Sequence, residues 1–139
     1  MVESGSDGAG CIDMRVIDAA TRDAIREAVL EKVDDNKHYF KTDGWHAHWV
    51  LRHMGHDLDL KVCSGPSAVK HLPIVHQAIG LLKRFLMGTY HGISQRYLQR
   101  YLQEFSFRFN RRLSEDCLFE SLLSACVFAL PMGYAELTL

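Results

Sequence analysis

An α/β fold running into a helical tail is predicted by three observations. Short runs alternating apolar and polar residues occupy the first half of the chain, helical apolar periodicity lies between them, and from about Val69 the pattern is helical throughout. A length of 139 residues suits one domain with one core, and the apolar fraction of 47% is ordinary for a globular protein. No apolar run is long enough to span a bilayer, which excludes a helical membrane protein. Neither an internal repeat nor a linker is visible.

The elements follow in order. "CIDMRVI" (11–17) alternates with the period of a half-buried strand. "DAATRDAIREAVLEKV" (18–33) reads as a helix with Asp18 or Thr21 as N-cap and Ile25, Ala28, Val29 and Val33 along one face. "KHYFKTD" (37–43) is the next strand, and "WHAHWVLRHM" (45–54) a short helix ended near Gly55. "HDLDLKV" (56–62) alternates again, with Leu58, Leu60 and Val62 pointing one way, and "SGPS" (64–67) is a loop. Helices are then expected near 69–86, 95–112 and 115–129. A break at "GTYHG" (88–92) separates the first two, Ser94 caps the second, and Pro131 stops the third.

Charge is distributed unevenly around a net of −1. Residues 1–40 carry nine acids against five bases, whereas residues 83–112 carry seven bases against Glu104 alone. Those bases are Lys83, Arg84, Arg96, Arg100, Arg108, Arg111 and Arg112. Such a segment can track a phosphate backbone, or can be the solvated face of helices. The four cysteines (Cys11, Cys63, Cys117, Cys126) are scattered without zinc-like spacing and read as reduced, mostly buried thiols. With the polar, acidic start "MVESGSDGAG", they suggest a cytoplasmic protein.

Candidate chemistry centres on Asp43. A lone Asp at a strand tip is a turn residue or helix cap, but an open α/β sheet also presents catalytic groups there. His76 and Lys83 are seven residues apart on the first long helix, two turns, and so share a face. Each has a plain alternative, His76 as an ordinary helix residue and Lys83 with Arg84 as a solvated helix end. Tyr97, Tyr101 and Phe105 at helical spacing read as core. His46, His48, His53 and His56 lack a metal-ligand spacing and read as non-ligands.

"HLPIVHQAIGLLKRFLMGTYHGIS" and "RYLQEFSFRFNRR", with "TDGW" upstream, resemble the signature of bacterial insertion-sequence transposases of the ISXO-like DDE type. Five features occur in family order: Thr42–Trp45, His76, Lys83–Arg84, Gly88–Gly92 and Glu104–Arg112. The similarity runs from about Cys11 to Arg112, and more faintly to the end. It departs at Ala47 and His48, where the family more often has Gly and Tyr.

The resemblance implies a ribonuclease-H-like catalytic domain over residues 1–112 and a helical tail of that domain over 113–139. It implies DNA transposition by metal-dependent strand cleavage and transfer, in which two Mg²⁺ ions (or Mn²⁺) assist displacement at phosphorus. Asp43 would be the second acidic ligand and His76 the third, a position where relatives carry Glu, Asn or His. Lys83 would hold a DNA phosphate, with Arg84, Arg96, Arg100, Arg108, Arg111 and Arg112 as further DNA contacts. The implied partners are DNA and a second copy or an intact transposase. The first family Asp lies on a strand upstream of the one matching "CIDMRVI", while "MVESGSDGAG" reads as the end of the second strand and its hairpin, with Asp7 in the turn. The expectation is therefore a truncated sheet, its first strand missing between the second and fourth, and a catalytically incomplete fragment. The alternative is a non-catalytic DNA- or transposase-binding module built on residues 83–112.

Overall fold

Two antiparallel strands open the chain as a hairpin pair. Strand β1 (Val2–Gly5) pairs with β2 (Gly8–Ile12), in register Val2 to Ile12, and the ladder extends by a reciprocal pair of backbone hydrogen bonds between Met1 and Asp13. This protein's structure is a computed structural model. It describes residues 1–5, 8–34, 36–62, 65–90, 92–112, 118–131 and 133. Asp7, Cys63, His91, Cys117 and the first residues of the helix expected at 115–129 lie outside the described residues.

The strand expected at 11–17 thus ends at Ile12. Beyond it Asp13 still pairs with Met1, but burial no longer alternates: Asp13 and Met14 are half-buried, Arg15, Val16 and Ile17 are exposed, and from Met14 on the hydrogen-bond partners are side chains. Asn110 accepts from the Ile12 N–H at 2.7 Å and donates to the Ile12 carbonyl at 3.0 Å. Gln99 does the same one step on, accepting from the Val16 N–H at 2.7 Å and donating to the Met14 carbonyl at 3.2 Å. Both belong to α5 (Leu98–Asn110), and just beyond it Arg112 donates to the Gly10 carbonyl at 3.3 Å and to the Ala9 carbonyl. One helix therefore supplies the partners that a third strand would otherwise supply.

Helix α1 (Arg22–Lys32) starts where Thr21 Oγ1 accepts from the Ala24 N–H at 3.2 Å, which selects Thr21 over Asp18 as the cap. Its inner face carries Val29, buried, with Ile25, Ala28 and Val33 half-buried, as the periodicity requires. Arg15 and Lys32 tie the 13–15 segment to it through Glu31 (2.6 Å) and Asp13 (3.6 Å). Strand β3 (Tyr39–Asp43) and strand β4 (Asp57–Lys61) pair in parallel, joined by a 3₁₀ turn (His46–His48) and helix α2 (Trp49–His53). Gly55, at φ 91°, makes the turn out of α2. Leu58 and Leu60 are half-buried, but Val62 is 83% exposed, against the expected common face.

The long helix expected from Val69 is two helices, α3 (Pro66–His71) and α4 (Pro73–Thr89). Pro66 opens the first, so "SGPS" is not wholly loop, and Pro73 forces the break because Leu72 before it (φ −123°, ψ 58°) leaves the helical region. Ser94 precedes a 3₁₀ turn (Gln95–Tyr97) and makes no side-chain capping bond, so the expected cap is absent. The last helix, α6 (Leu118–Phe128), exposes nearly all of its apolar residues.

Mixed helix and strand make this an α/β protein, but among the described residues the strands form two separate two-stranded sheets. The main core lies between the hairpin, α4 and α5: Ile12, Ala78, Phe105 and Phe109 are buried, with Val2, Met14, Leu82 and Phe85 against them. Phe85 stacks 5.6 Å from Phe105, so Phe105 is core as expected. Cys11 and Cys126 are free but exposed, not buried. No helix among the described residues is long and apolar enough to cross a membrane.

Where α4 leaves the core, Tyr90 donates to Glu104 at 2.7 Å, and Arg108 donates to the other carboxylate oxygen at 2.8 Å. The Tyr90 hydroxyl, and then Arg108, hold the Glu104 carboxyl below its ordinary range, and the same bond raises the Tyr90 hydroxyl. The bond therefore contributes stability only while Glu104 is ionised and Tyr90 neutral. That contribution is lost as pH falls through the lowered Glu104 value and as pH rises through the raised Tyr90 value. Tyr90→Phe should accordingly be less stable than wild type at neutral pH, with the gap closing at both extremes. Thermal unfolding across pH measures it, and a gap that stays constant into acid would rule the coupling out.

Asn110→Ala should cost about 1–3 kcal/mol, because it strands both backbone groups of Ile12 at the core's edge. Urea unfolding is the check. A loss within about 0.5 kcal/mol, the range of ordinary surface changes, would mean that water replaces the amide.

Candidate active site at the end of strand β3

Asp43 ends β3, whose residues alternate exposed and half-buried, so Tyr39, Lys41 and Asp43 share the open face. The parallel register sets Asp57, Asp59 and Lys61 beside them. Asp43 Oδ1 accepts from the Trp45 N–H at 3.4 Å, the hydrogen bond of an Asx turn. His48 Nδ1 lies 3.0 Å from the same oxygen, within ion-pairing reach, yet out of line, so this nitrogen has no hydrogen-bond partner. The carboxylate is thus a turn residue and remains exposed to solvent.

Two further contacts fix this tip. His71, buried at the end of α3, hydrogen bonds to the Thr42 carbonyl at 3.0 Å, next to Asp43. Gly44 meets Val62: a Cβ on Gly44 would lie 2.3 Å from Val62 Cγ2 and 2.6 Å from Val62 Cα. The glycine after Asp43 is thus required by close approach of the chain leaving β4.

His76 and Lys83 are both exposed on α4, on the common face that their spacing predicts. His76 makes no ion pair or hydrogen bond with Asp43 among the described residues. The imidazole found at Asp43 is that of His48, whose position five residues on, in the 3₁₀ turn, returns it to the carboxylate. No spacing rule for helices or strands signals that return. His71 carries no signal in the sequence either, because its role depends on the helix break at Pro73.

The basic residues divide. Arg112 is half-buried, its guanidinium 3.9 Å from the Phe109 ring centroid and bonded to backbone carbonyls of Ala9, Gly10 and Phe109. Arg111 stacks on Phe107 at 3.7 Å, and Arg108 is paired with Glu104. Arg96 and Arg100 flank Tyr97 at 5.6 and 5.8 Å. Lys83 and Arg84 are exposed.

A carboxylate beyond the carboxyl end of a parallel strand is where open α/β proteins place their chemistry. Residues 1–110 match the family described as the ISXO2-like transposase domain, and the chain belongs to that family. No curated protein and no solved structure matches it significantly.

The family implies divalent metal ions, and the residues at Asp43 can be tested against that need. Mg²⁺ requires oxygen ligands in a tight octahedron. Here one carboxylate oxygen faces an imidazole and a backbone N–H, and no group of three His, Cys, Asp or Glu side chains that could hold a metal occurs among the described residues. This donor set does not fit a two-metal centre.

Gly44→Ala should lower stability by about 1–3 kcal/mol, the usual cost of forcing atoms into an occupied space. Val62→Ala in the same chain should recover only part of it, because the backbone of residue 62 stays just as close. Full recovery in denaturant unfolding would show that the side chain alone sets the fit.

Proposed function

We propose that these residues form the DNA-engaging portion of an insertion-sequence transposase catalytic domain, with Asp43 as one metal-binding carboxylate of a site they do not complete alone. The observation carrying this reading is the placement of Asp43: a carboxylate at a strand tip, open to solvent, in a chain of this transposase family. The pairing of strands supports a domain of ribonuclease-H-like type. An antiparallel hairpin and a separate parallel pair are the pieces that a central strand would join, and that strand would bring a further carboxylate beside Asp43. His76 remains the proposed third ligand and Lys83 the proposed phosphate contact, both on the exposed face of α4.

DNA contact falls chiefly to Lys83, Arg84, Arg96 and Arg100, all of which are exposed. Arg111 and Arg112 are half-buried and Arg108 is paired with Glu104, so these would contribute less. A binding module that holds DNA without cutting it is the second reading, favoured by the exposed Lys83 and Arg84.

The test has two parts. The 139-residue chain should fail to nick or join DNA in Mg²⁺ or Mn²⁺, while binding duplex with a log–log salt slope of about −3 to −4, as four phosphate contacts imply. A slope near −6 would put all seven basic residues on DNA. Cleavage by the chain alone, abolished in Asp43→Asn, would overturn the incomplete site.

A further inference from the structure

Helix α6 turns its apolar side to solvent. Phe119, Leu122, Leu123, Cys126 and Val127 recur at the spacing that makes one continuous helical stripe, and Leu130 lies just past its end. All six are exposed, the five large ones by 49% (Leu122) to 90% (Leu130). Ser121, on the opposite side, is half-buried. Among the described residues the buried core includes none from α6. A helix of 11 residues is marginal in water unless an apolar face is covered.

Chemistry narrows what the cover can be. Glu120 is the only charged residue on the helix and lies off the stripe. DNA and charged peptides therefore find nothing there to pair with. A lipid surface is equally unsuited, since interfacial helices join their apolar face to Lys and Arg, and α6 has neither. The five large side chains leave on the order of 500 Å² of apolar surface open per chain. A standard interface buries about 800 Å² on each partner, and in homodimers about 65% of it is apolar, roughly 520 Å². The stripe thus supplies the apolar part of such an interface by itself. A second copy brings the same stripe, and a two-fold axis sets identical patches against each other. Leu122 and Leu123, in the middle, meet their counterparts whichever way the helices run.

We propose that α6 is a dimerisation helix, two copies of the chain pairing through Phe119, Leu122, Leu123, Cys126 and Val127. The proposal stands on the exposure of this helix and not on the transposase reading; the family match itself ends at residue 110.

Sedimentation equilibrium of the 139-residue chain tests it. The wild type should show a concentration-dependent equilibrium between a 15.9 kDa monomer and a dimer of twice that mass. Leu123→Glu places a charge in the seam from both copies and should weaken the dimer about 100-fold. Leu123→Ala, which only trims apolar area, should weaken it about tenfold. Ser124→Glu adds the same charge off the stripe and should leave the dimer unchanged. Because α6 gives the core no buried residue, all three variants should stay folded by near-UV circular dichroism. If Leu123→Glu does not, Leu123→Ala against Ser124→Glu decides. Monomer mass at every concentration overturns the proposal, and so do open-ended aggregates. A dimer that Leu123→Ala leaves intact, or that Ser124→Glu breaks as readily as the Leu123 variants, overturns it too.

Discussion

The grip of α5 on the backbone edge of residues 9–16 is the constraint on which the rest of the main core depends. Gln99, Asn110 and Arg112 satisfy six backbone groups on that edge, from the Ala9 carbonyl to the Val16 N–H. An open strand edge invites pairing with another chain, and proteins blunt it in several ways. Here a helix covers it with two carboxamides and a guanidinium. Each carboxamide here uses one N–H donor and its carbonyl acceptor, the pattern of a peptide group. With the edge anchored, Ile12 and Met14 point onto Phe105, Phe109 and Ala78. Loosening it would free the hairpin from the helices that give it a core.

The same grip changes the meaning of the basic run at the end of α5. As charge, "RFNRR" looks like a phosphate-binding end. As geometry, Arg112 lies flat on Phe109 and is spent on carbonyls, while Asn110 between the charges is the residue that holds Ile12. Guanidinium suits this task because its planar fork reaches two carbonyls while its face covers an aromatic ring. Of the positive balance in residues 83–112, a large part is therefore fold-building, and the surface field that DNA would meet comes chiefly from α4 and the start of α5.

How far the sequence could reveal this follows from which signals are local. The α1 helix, the strand ending in Asp43 and the turn at Gly55 rest on neighbours a few residues apart and were legible, whereas the choice of Thr21 over Asp18 as cap was not. The split at Pro73 was equally local, but apolar periodicity on both sides hid it. The end of β2 was not legible: the apolar–polar alternation of 11–17 continues in the sequence, but Val16 and Ile17 are exposed, and side chains 83 to 98 residues away replace a strand. Val62 shows the reverse case. Its place in an alternating run promised burial, yet the strand ends at Lys61 and the valine turns onto Gly44. The site was half legible: Asp43 and its strand tip came from local pattern and family likeness, whereas His48 and His71 reach it only through a 3₁₀ turn and a helix break.

Parallel strands are ordinarily covered on both faces, because their crossover helices pack there. The β3–β4 pair has Phe40, Thr42, Leu58 and Leu60 turned inward, and its other face is polar and open. Two strands alone are a marginal structure. What keeps the Asp43 end in place is a set of contacts from outside the pair: His71 on the Thr42 carbonyl, Val62 on Gly44, and Trp45 tied both to Asp43 and to Ala20 ahead of α1. The strand end is therefore held by contacts on both sides of Asp43, while the carboxylate stays exposed and one of its two oxygens takes the Asx-turn bond from the Trp45 N–H. An acidic group used for metal or phosphate chemistry needs that division, since a ligand must be held in place by its backbone and yet leave its oxygens available. His48 beside Oδ1 is the group such an exchange would displace, and it can leave without loosening the strand, because nothing in the sheet pairing depends on it.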